Sequence, residues 1–500
     1  MNIDTGWRLG LIGRNGRGKS TLLNLINKGL QPVKGELRST VPAFYFPYLP
    51  VDEKPSVLNV IKENIAPYSY WENRMKELAV SGDSRDMEEF GEILESYQNA
   101  DGYEIDSMIR KEFNELGMQE ELLERDFLSL SGGEQTRALI ITLFLKKDSF
   151  PMIDEPTDHL DMNGRLLLGE YLSKKNGFIL ASHDRNFLDI CTDHILSINK
   201  SDVRLNKGNY SNWKNNMLTE EEYEKRKDIN LKRELRSLES AAAKNRKWSG
   251  YKEKEKSGAY DKGYIGHRSA KLMKRALHIE ERISKKIEEK KKLLNNKEDE
   301  RRLSIPSRLS GKEKVLSVIN ATLHIDEKKI FENFSMDIFK GERIALTGNN
   351  GSGKTSLIRA IKNEIKLSAG SINIPGFIRI SFANQDPVWN KGLLRELLRD
   401  ENTDETKFRN ILGVMGAWGE LFDRPLETFS RGQLKKVELC RSFLSESDIL
   451  IWDEPMNYLD TESREQLEAA ILKFRPTMLF TEHDKTFVDK IATGVFSISN

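Results

Sequence analysis

Apolar and polar positions along this chain follow three rhythms. Short apolar runs occur at 178–181, 344–346, 449–452 and 478–480, with a briefer one at 152–153 and one at 9–12 interrupted only by Gly10. Runs of that length bounded by turn residues predict strands buried on both faces. The stretches 21–26 and 356–361 each follow a glycine-rich turn and read as helices, and 138–145 is an apolar run of helix-core length. Strands alternating with helices predict an α/β fold. The third rhythm fills the middle of the chain. Residues 218 to about 256 place Leu231, Leu235, Leu238 and Ala242 on one stripe, and 269 to about 297 do the same with Leu272, Ala276, Ile279, Ile283 and Ile287. Spacings of three and four predict two long antiparallel helices, each reaching about 45–60 Å at 1.5 Å per residue.

The chain also repeats itself. Gly13-Arg-Asn-Gly-Arg-Gly18-Lys19-Ser20 recurs as Gly348-Asn-Asn-Gly-Ser-Gly353-Lys354-Thr355, and Leu130-Ser131-Gly132-Gly133-Glu134-Gln135 recurs, altered, as Phe429-Ser430-Arg431-Gly432-Gln433. Asp154-Glu155-Pro156, Leu160-Asp161 and Ser182-His183-Asp184 recur as Asp453-Glu454-Pro455, Leu459-Asp460 and Glu482-His483-Asp484. Ser131 to Asp154 and Ser430 to Asp453 are both 23 residues, and Asp to the following Asp is 7 in each copy. Five motifs in one order at matched spacing predict two copies of one domain. The distance from the glycine-rich loop to the Ser motif is 118 residues in the first copy and 82 in the second. An insertion of 36 residues is therefore expected in the first copy, within the acidic stretch 66–117. The second copy has strand-like material from Val315 with no equivalent ahead of Gly13. The expectation is that the first copy lacks a sheet edge or that its start lies upstream.

G-x-x-x-x-G-K-[ST] between a strand and a helix is a P-loop, whose backbone N–H groups converge on phosphate oxygens at a helix N-terminus. Lys19 and Lys354 are expected on the β- and γ-phosphates, and Ser20 and Thr355 on Mg²⁺. Asp154 and Asp453 end buried strands, the arrangement that holds Mg²⁺. Glu155 and Glu454 come next and would polarise the attacking water. His183 and His483, each after a strand, would hydrogen-bond the γ-phosphate. Ser131-Gly132-Gly133 starts a helix and offers a second anion site, although such a turn is equally an ordinary N-cap.

Together these motifs resemble the ATP-binding cassette ATPases, over about 9–189 and 344–487. The resemblance implies two tandem cassettes facing head to tail, with each ATP between one P-loop and the other copy's signature. Site one would then comprise Gly13, Asn15, Gly16, Gly18, Lys19, Ser20, Thr21, Asp154, Glu155 and His183 with Ser430, Gly432 and Gln433. Site two would comprise Gly348, Asn350, Gly351, Gly353, Lys354, Thr355, Ser356, Asp453, Glu454 and His483 with Ser131, Gly133 and Glu134. Gln385 matches the family's glutamine, a further contact to nucleotide and Mg²⁺, and Tyr48 stands in that place in the first copy. Arg431 replaces the signature's first glycine, and the family's adenine-stacking aromatic has no clear match, Ile325 being nearest. Site two is therefore expected to be the more standard.

Composition narrows the remaining choices. The longest apolar run is 138–145, far short of the roughly 18–20 residues that span a bilayer, and two cysteines, Cys191 and Cys440, cannot build a zinc module or a disulfide framework. The formal net charge is +1, yet residues 225–292 hold 23 Lys and Arg against 10 Asp and Glu, a net +13 that leaves −12 elsewhere. A basic block on an acidic body suits a polyanion. Between the two helices, Gly258 to Arg268 combines glycines with Tyr260, Tyr264, Lys262 and His267. Tyrosines and basic residues offer stacking and phosphate contacts to RNA, although the segment is also a plausible flexible turn.

Two cassettes without a membrane segment, joined by a basic helical linker, resemble the ABC-F class of ribosome-binding ATPases. The motif context Leu9–Gly18, Ser430–Gln433 and Lys252–Arg268 looks most like its antibiotic-resistance subgroup, acting against lincosamides, pleuromutilins and streptogramin A. The resemblance implies a cytoplasmic monomer with an internal cassette pair, using ATP and Mg²⁺ and bound to ribosomal RNA and transfer RNA at the exit-site side. The expected domains are 1–215 for the first cassette, 216–310 for the linker with its tip near 257–268, and 311–500 for the second cassette. The rival readings are a housekeeping translation factor of the same class, the ATPase subunit of an exporter, and an inactive truncated product.

Overall fold

The computed structural model of the chain describes residues 2–48, 50, 55–81, 84–158, 160–199, 202–255, 313–325, 328–415 and 419–498, with Lys271, Lys274, His278, Glu281 and Lys285. The chain divides into two compact units: Met1–Ile198 with Val203–Tyr210 and Glu300–Asn500, and Asn199–Asp202 with Ser211–Asp299.

The first unit holds both cassettes. In the first, the strands are β1 (Arg8–Gly13), β2 (Ala43–Phe46), β3 (Phe150–Asp154), β4 (Phe178–Ala181), β5 (His194–Ile198) and β6 (Val203–Lys207), in the order β2-β3-β4-β1-β5-β6. Only β6 runs antiparallel to its neighbour. The apolar runs of the sequence form the middle strands: Leu9, Leu11, Met152, Ile179 and Ala181 are almost wholly buried, packed with Leu23 and Leu196. Helices α1 (Lys19–Ile26), α2 (Val57–Ile65), α3 (Tyr68–Ser81), α4 (Ser84–Asn99), α5 (Ile105–Glu115), α6 (Gly132–Leu145), α7 (Met162–Ser173) and α8 (Arg185–Cys191) complete the domain.

The second cassette repeats the plan. Strands β7 (Lys314–Ile325), β8 (Lys328–Phe339) and β10 (Ala369–Asn373) form an antiparallel sheet. Strands β9 (Arg343–Thr347), β11 (Ile380–Ala383), β12 (Ile449–Asp453), β13 (Met478–Thr481) and β14 (Gly494–Ser497) form a parallel sheet in the order β11-β12-β13-β9-β14. Among the described residues the first cassette has no counterpart of the β7–β8 hairpin. The helical hairpin α3–α4, held by the Arg74–Glu89 ion pair at 2.7 Å and by Tyr68, Trp71 and Tyr97 meeting edge to face, lies within the 66–117 segment. The second cassette has only four residues in the matching place, between Leu394–Asp400 and Glu405–Val414.

The second unit contains all but the first residue of α9 (Tyr210–Glu255), 46 residues long. Lys271, Lys274, His278, Glu281 and Lys285 are also helical, and exposed. The side chains of the two expected apolar stripes and the expected tip at 257–268 lie outside the described residues. Among the described residues no helix is long and apolar enough to cross a membrane, and both cysteines are free and buried.

Candidate nucleotide-binding sites

The sheet order brings the motifs together at the carboxyl ends of the strands. Asp154 and Leu11 both lie in register with Ala181, and Asp453 and Leu346 both lie in register with Thr481. In open α/β sheets this edge is where ligands bind. Gly18 and Gly353, at φ of 95° and 98°, immediately precede α1 and the equivalent helix α10 (Lys354–Ile361). That left-handed turn suits glycine. Neither helix has a side-chain cap, so its first N–H groups stay available for a phosphate. Gly16 and Gly351 also have positive φ, and Thr21 and Ser356 sit in the first turn of the two helices.

Both P-loop lysines are buried. Lys19 Nζ donates to Gly13 O at 2.8 Å, and Lys354 Nζ donates to Gly348 O at 2.8 Å and Asn349 O at 2.9 Å. Burial pushes both ammonium groups below their ordinary range, opposed chiefly by Glu155 and Glu454. Ser20 Oγ donates to Asp154 Oδ2 at 3.2 Å, and Thr355 hydrogen-bonds Asp453. Among the described residues there is no cluster of three acidic, His or Cys side chains able to hold a metal. One carboxylate and one hydroxyl per site is the donor set that suits Mg²⁺, which keeps waters and takes phosphate oxygens. The residues fit the ion.

Glu155 and Glu454 share an unusual backbone, with φ of 48° in both. Such strain in a non-glycine residue concentrates at functional sites. Glu155 accepts from His183 N–H at 3.2 Å, and His183 Nε2 lies 2.9 Å from Asn15 Oδ1 and 3.2 Å from Lys19 Nζ. Burial, then Lys19, drives the His183 imidazole towards its neutral form. Burial and Asp158 push Glu155 up to about 8. Glu454 instead accepts from Gln385 Nε2 at 3.1 Å and from Asn457, and His483 Nε2 stands 3.5 Å away. Burial raises its pKa, but the neighbouring His483 and the Lys435 charge outweigh it and hold the carboxyl below its ordinary range.

The glutamine loop differs between copies for a reason visible in the signature helices. Glu438, fully buried in α13 (Arg431–Leu444), accepts the N–H groups of Asn384 and Val388 at 3.2 Å each, and Lys435 Nζ binds the carbonyls of Asn384 and Asp453. These contacts hold Gln385 against Glu454. In α6 the equivalent of Glu438 is Leu139, which offers no carboxylate. Tyr48, at the register position of Gln385, turns away instead and donates to Leu139 O at 3.1 Å. The residue that reaches Asp154 is Tyr45, at 2.8 Å. Lys435, Glu438 and Tyr45 went unnoticed in the sequence. The charged pair, set among the apolar positions of a helix, was the available signal.

Ser131 and Ser430 each close a capping box, with Glu134 and Gln433 as reciprocal partners. Gly133 and Gly432 are buried in the first turns of these helices. Arg431 lies over the Tyr458 ring at 5.7 Å.

Signature and P-loop meet across the cassettes. Asn15 Nδ2 donates to Tyr458 O at 3.1 Å, and a Cβ on Gly432 would stand 2.6 Å from that carbonyl and 3.0 Å from Asn15 Nδ2. Arg14 pairs with Glu462, and Arg185 with Glu468. On the other side, Lys354 feels the charge of Asp161. Buried pairs support both flanking loops: Arg165–Asp184 at 3.0 Å, Arg464–Asp484 at 3.2 Å and Lys436–Asp460 at 2.8 Å.

The chain is similar over its whole length to proteins of known name. It is 28% identical over 515 residues to the ribosome protection protein VmlR of Bacillus subtilis, covering 100% of this chain and 83% of VmlR. It is 28% identical over 517 residues to the energy-dependent translational throttle protein EttA of Escherichia coli K12, covering 99% and 87%. Its fold is similar to that of the archaeal ribosome recycling factor aABCE1, solved with the stalk protein aP1, at a TM-score of 0.61 and 18% identity over 99% of this chain and 84% of that one. The family model described as ABC transporter matches residues 1–158 and 331–457, more than half of the chain and both copies of the P-loop and Asp-Glu pair: the protein belongs to the ABC transporter family and carries two of its ATPase cassettes.

Proposed function

We propose that this protein is a ribosome-binding ATPase of the ABC-F class that protects the ribosome from antibiotics bound at the peptidyl transferase centre. The observation that carries the reading is the similarity to VmlR and EttA, which runs through both cassettes and the linker between them. The +13 charge of residues 225–292 supports a polyanionic partner, here ribosomal RNA and transfer RNA at the exit-site side. The protein acts in the cytoplasm as a monomer.

In this mechanism the Lys19 and Lys354 P-loops bind the phosphates of two ATP molecules, and the Ser430–Gln433 and Ser131–Glu134 helix starts cover them from the opposite cassette. Ser20 with Asp154, and Thr355 with Asp453 and Gln385, would hold Mg²⁺, which supplies charge neutralisation to the phosphates. Glu155 and Glu454 orient the attacking water, while His183 and His483 contact the γ-phosphate. Two nucleotides held by groups from both cassettes favour the closed state, a population shift set by differential affinity. Closure sets the angle of the linker, which displaces transfer RNA and drug. Hydrolysis reverses it.

Cell-free translation inhibited by lincomycin tests the protective role. Added protein and ATP should restore synthesis. Ribosome binding without restoration would assign the protein to translation control instead, the reading that similarity to EttA favours.

A further inference from the structure

Each carboxylate assigned to Mg²⁺ is anchored by one hydroxyl from a neighbouring strand, but the two cassettes draw it from opposite sides. In the second cassette Asp453 is in register with Thr481 of β13, and Thr481 Oγ1 donates to Asp453 Oδ1 at 2.5 Å. In the first cassette the residue in register with Asp154 is Ala181, whose methyl cannot donate. There the donor comes from β2: Tyr45 OH donates to Asp154 Oδ2 at 2.8 Å, beside Ser20 Oγ at 3.2 Å. Tyr45 is in register with Met152, and the matching residue of β11, in register with Ile451, is Phe382, which has no hydroxyl. Both strands have therefore exchanged chemistry between the copies: Tyr with Ala in one, Phe with Thr in the other.

We infer that Tyr45 is the positioning residue for the Asp154 carboxylate of site one, and does from β2 what Thr481 does for Asp453 from β13. This rests on reading the two sites as Mg²⁺–ATP sites. A carboxylate at the end of a strand can rotate about its side-chain bonds, and a hydrogen bond from a fixed neighbour sets its orientation; Tyr45 holds Oδ2, the same oxygen that faces the Ser20 hydroxyl.

The test is Mn²⁺ binding, followed by electron paramagnetic resonance, in the full chain carrying E155Q and E454Q and saturated with ATP, which reads the metal without turnover. Loss of such an outer partner typically weakens metal affinity about 10–100-fold. Y45F should weaken one of the two Mn²⁺ sites by that factor, and T481A the other. Y45F with A181S, which returns a hydroxyl from the opposite strand, should recover the first site, and T481A with F382Y the second. Unchanged Mn²⁺ affinity in Y45F overturns the assignment. So does a loss that neither exchange recovers, because a purely structural role would not follow the hydroxyl. A parent protein that binds no Mn²⁺ with ATP would overturn the nucleotide-site reading itself.

Discussion

Replacing Glu468 by alanine removes the carboxylate that Arg185 of the first cassette reaches in the second. Glu468 is fully buried and also accepts from Lys490 Nζ at 2.8 Å, on its own side of the contact. Arg185 is 9% exposed, and its remaining acidic neighbour in the second cassette is Asp484 at 3.9 Å. With the cassettes apart, Glu468 keeps Lys490 and the Arg185 guanidinium gains water, so the loss falls on the closed state. Truncating one partner of a buried, hydrogen-bonded charge pair across an interface costs about 2–5 kcal/mol. Asp484 retains part of the attraction, which places the effect near the lower bound, about 2 kcal/mol. At 1.4 kcal/mol per decade that is about a 30-fold shift toward the open state. Copy symmetry offers no compensation, because the equivalents of Arg185 and Glu468 are Lys485 and Gly169, and Gly169 has no side chain to pair with. The assay is distance measurement between labels on the two cassettes during an ATP titration, for E468A, R185A and the double variant. The two single changes should each raise the ATP needed for closure, and the double should cost little more than either. Additive effects, or an unchanged closing curve with only a lower melting temperature, would show that Glu468 merely stabilises the second cassette.

Three further outcomes are expected. G432A should disturb the Tyr458 carbonyl that receives Asn15, and so reduce ATP-driven closure at site one in the same distance assay, while nucleotide binding at Lys354 stays intact. Glu155, held up at about 8 mainly by burial, keeps a proton that the unfolded chain loses near pH 4.3, so the unfolded state binds fewer protons and stability falls as pH rises between those values. Nucleotide-free E155Q should show a smaller decline in melting temperature over that window; identical slopes would contradict the environment assigned to Glu155. Replacing Lys252, Lys254 and Lys256 with glutamine should weaken association with ribosomes and flatten its salt dependence, each lost phosphate contact lowering the logarithmic slope by about 0.7–0.9.

Much of the fold was legible because its strands are buried on both faces. Runs such as 178–181 and 449–452 carry that signal without alternation, and the P-loops announce the turn between strand and helix through Gly18 and Gly353, both left-handed in the structure. The motif residues were equally plain, since their spacing repeats. What stayed hidden depends on which strand lies beside which. Tyr48 occupied the glutamine's place in the count, yet its side chain follows Leu139, because the helix that carries Glu438 in one copy carries an apolar residue in the other. Tyr45 reaches Asp154 only because β2 lies next to β3 in the sheet, although more than 100 residues separate the two strands in the chain. The pairing of Arg185 with Glu468 needs both cassettes in place, and nothing local marks either residue as part of a contact.

In the proposed function it is the ATP-closed pair of cassettes that binds the ribosome. The direct measurement is co-sedimentation of the E155Q, E454Q protein with purified ribosomes, with and without ATP. This variant should pellet with ribosomes when ATP is present and stay in the supernatant when it is omitted. ATP binding with no ribosome-dependent pelleting would contradict it and assign the basic linker to a different partner.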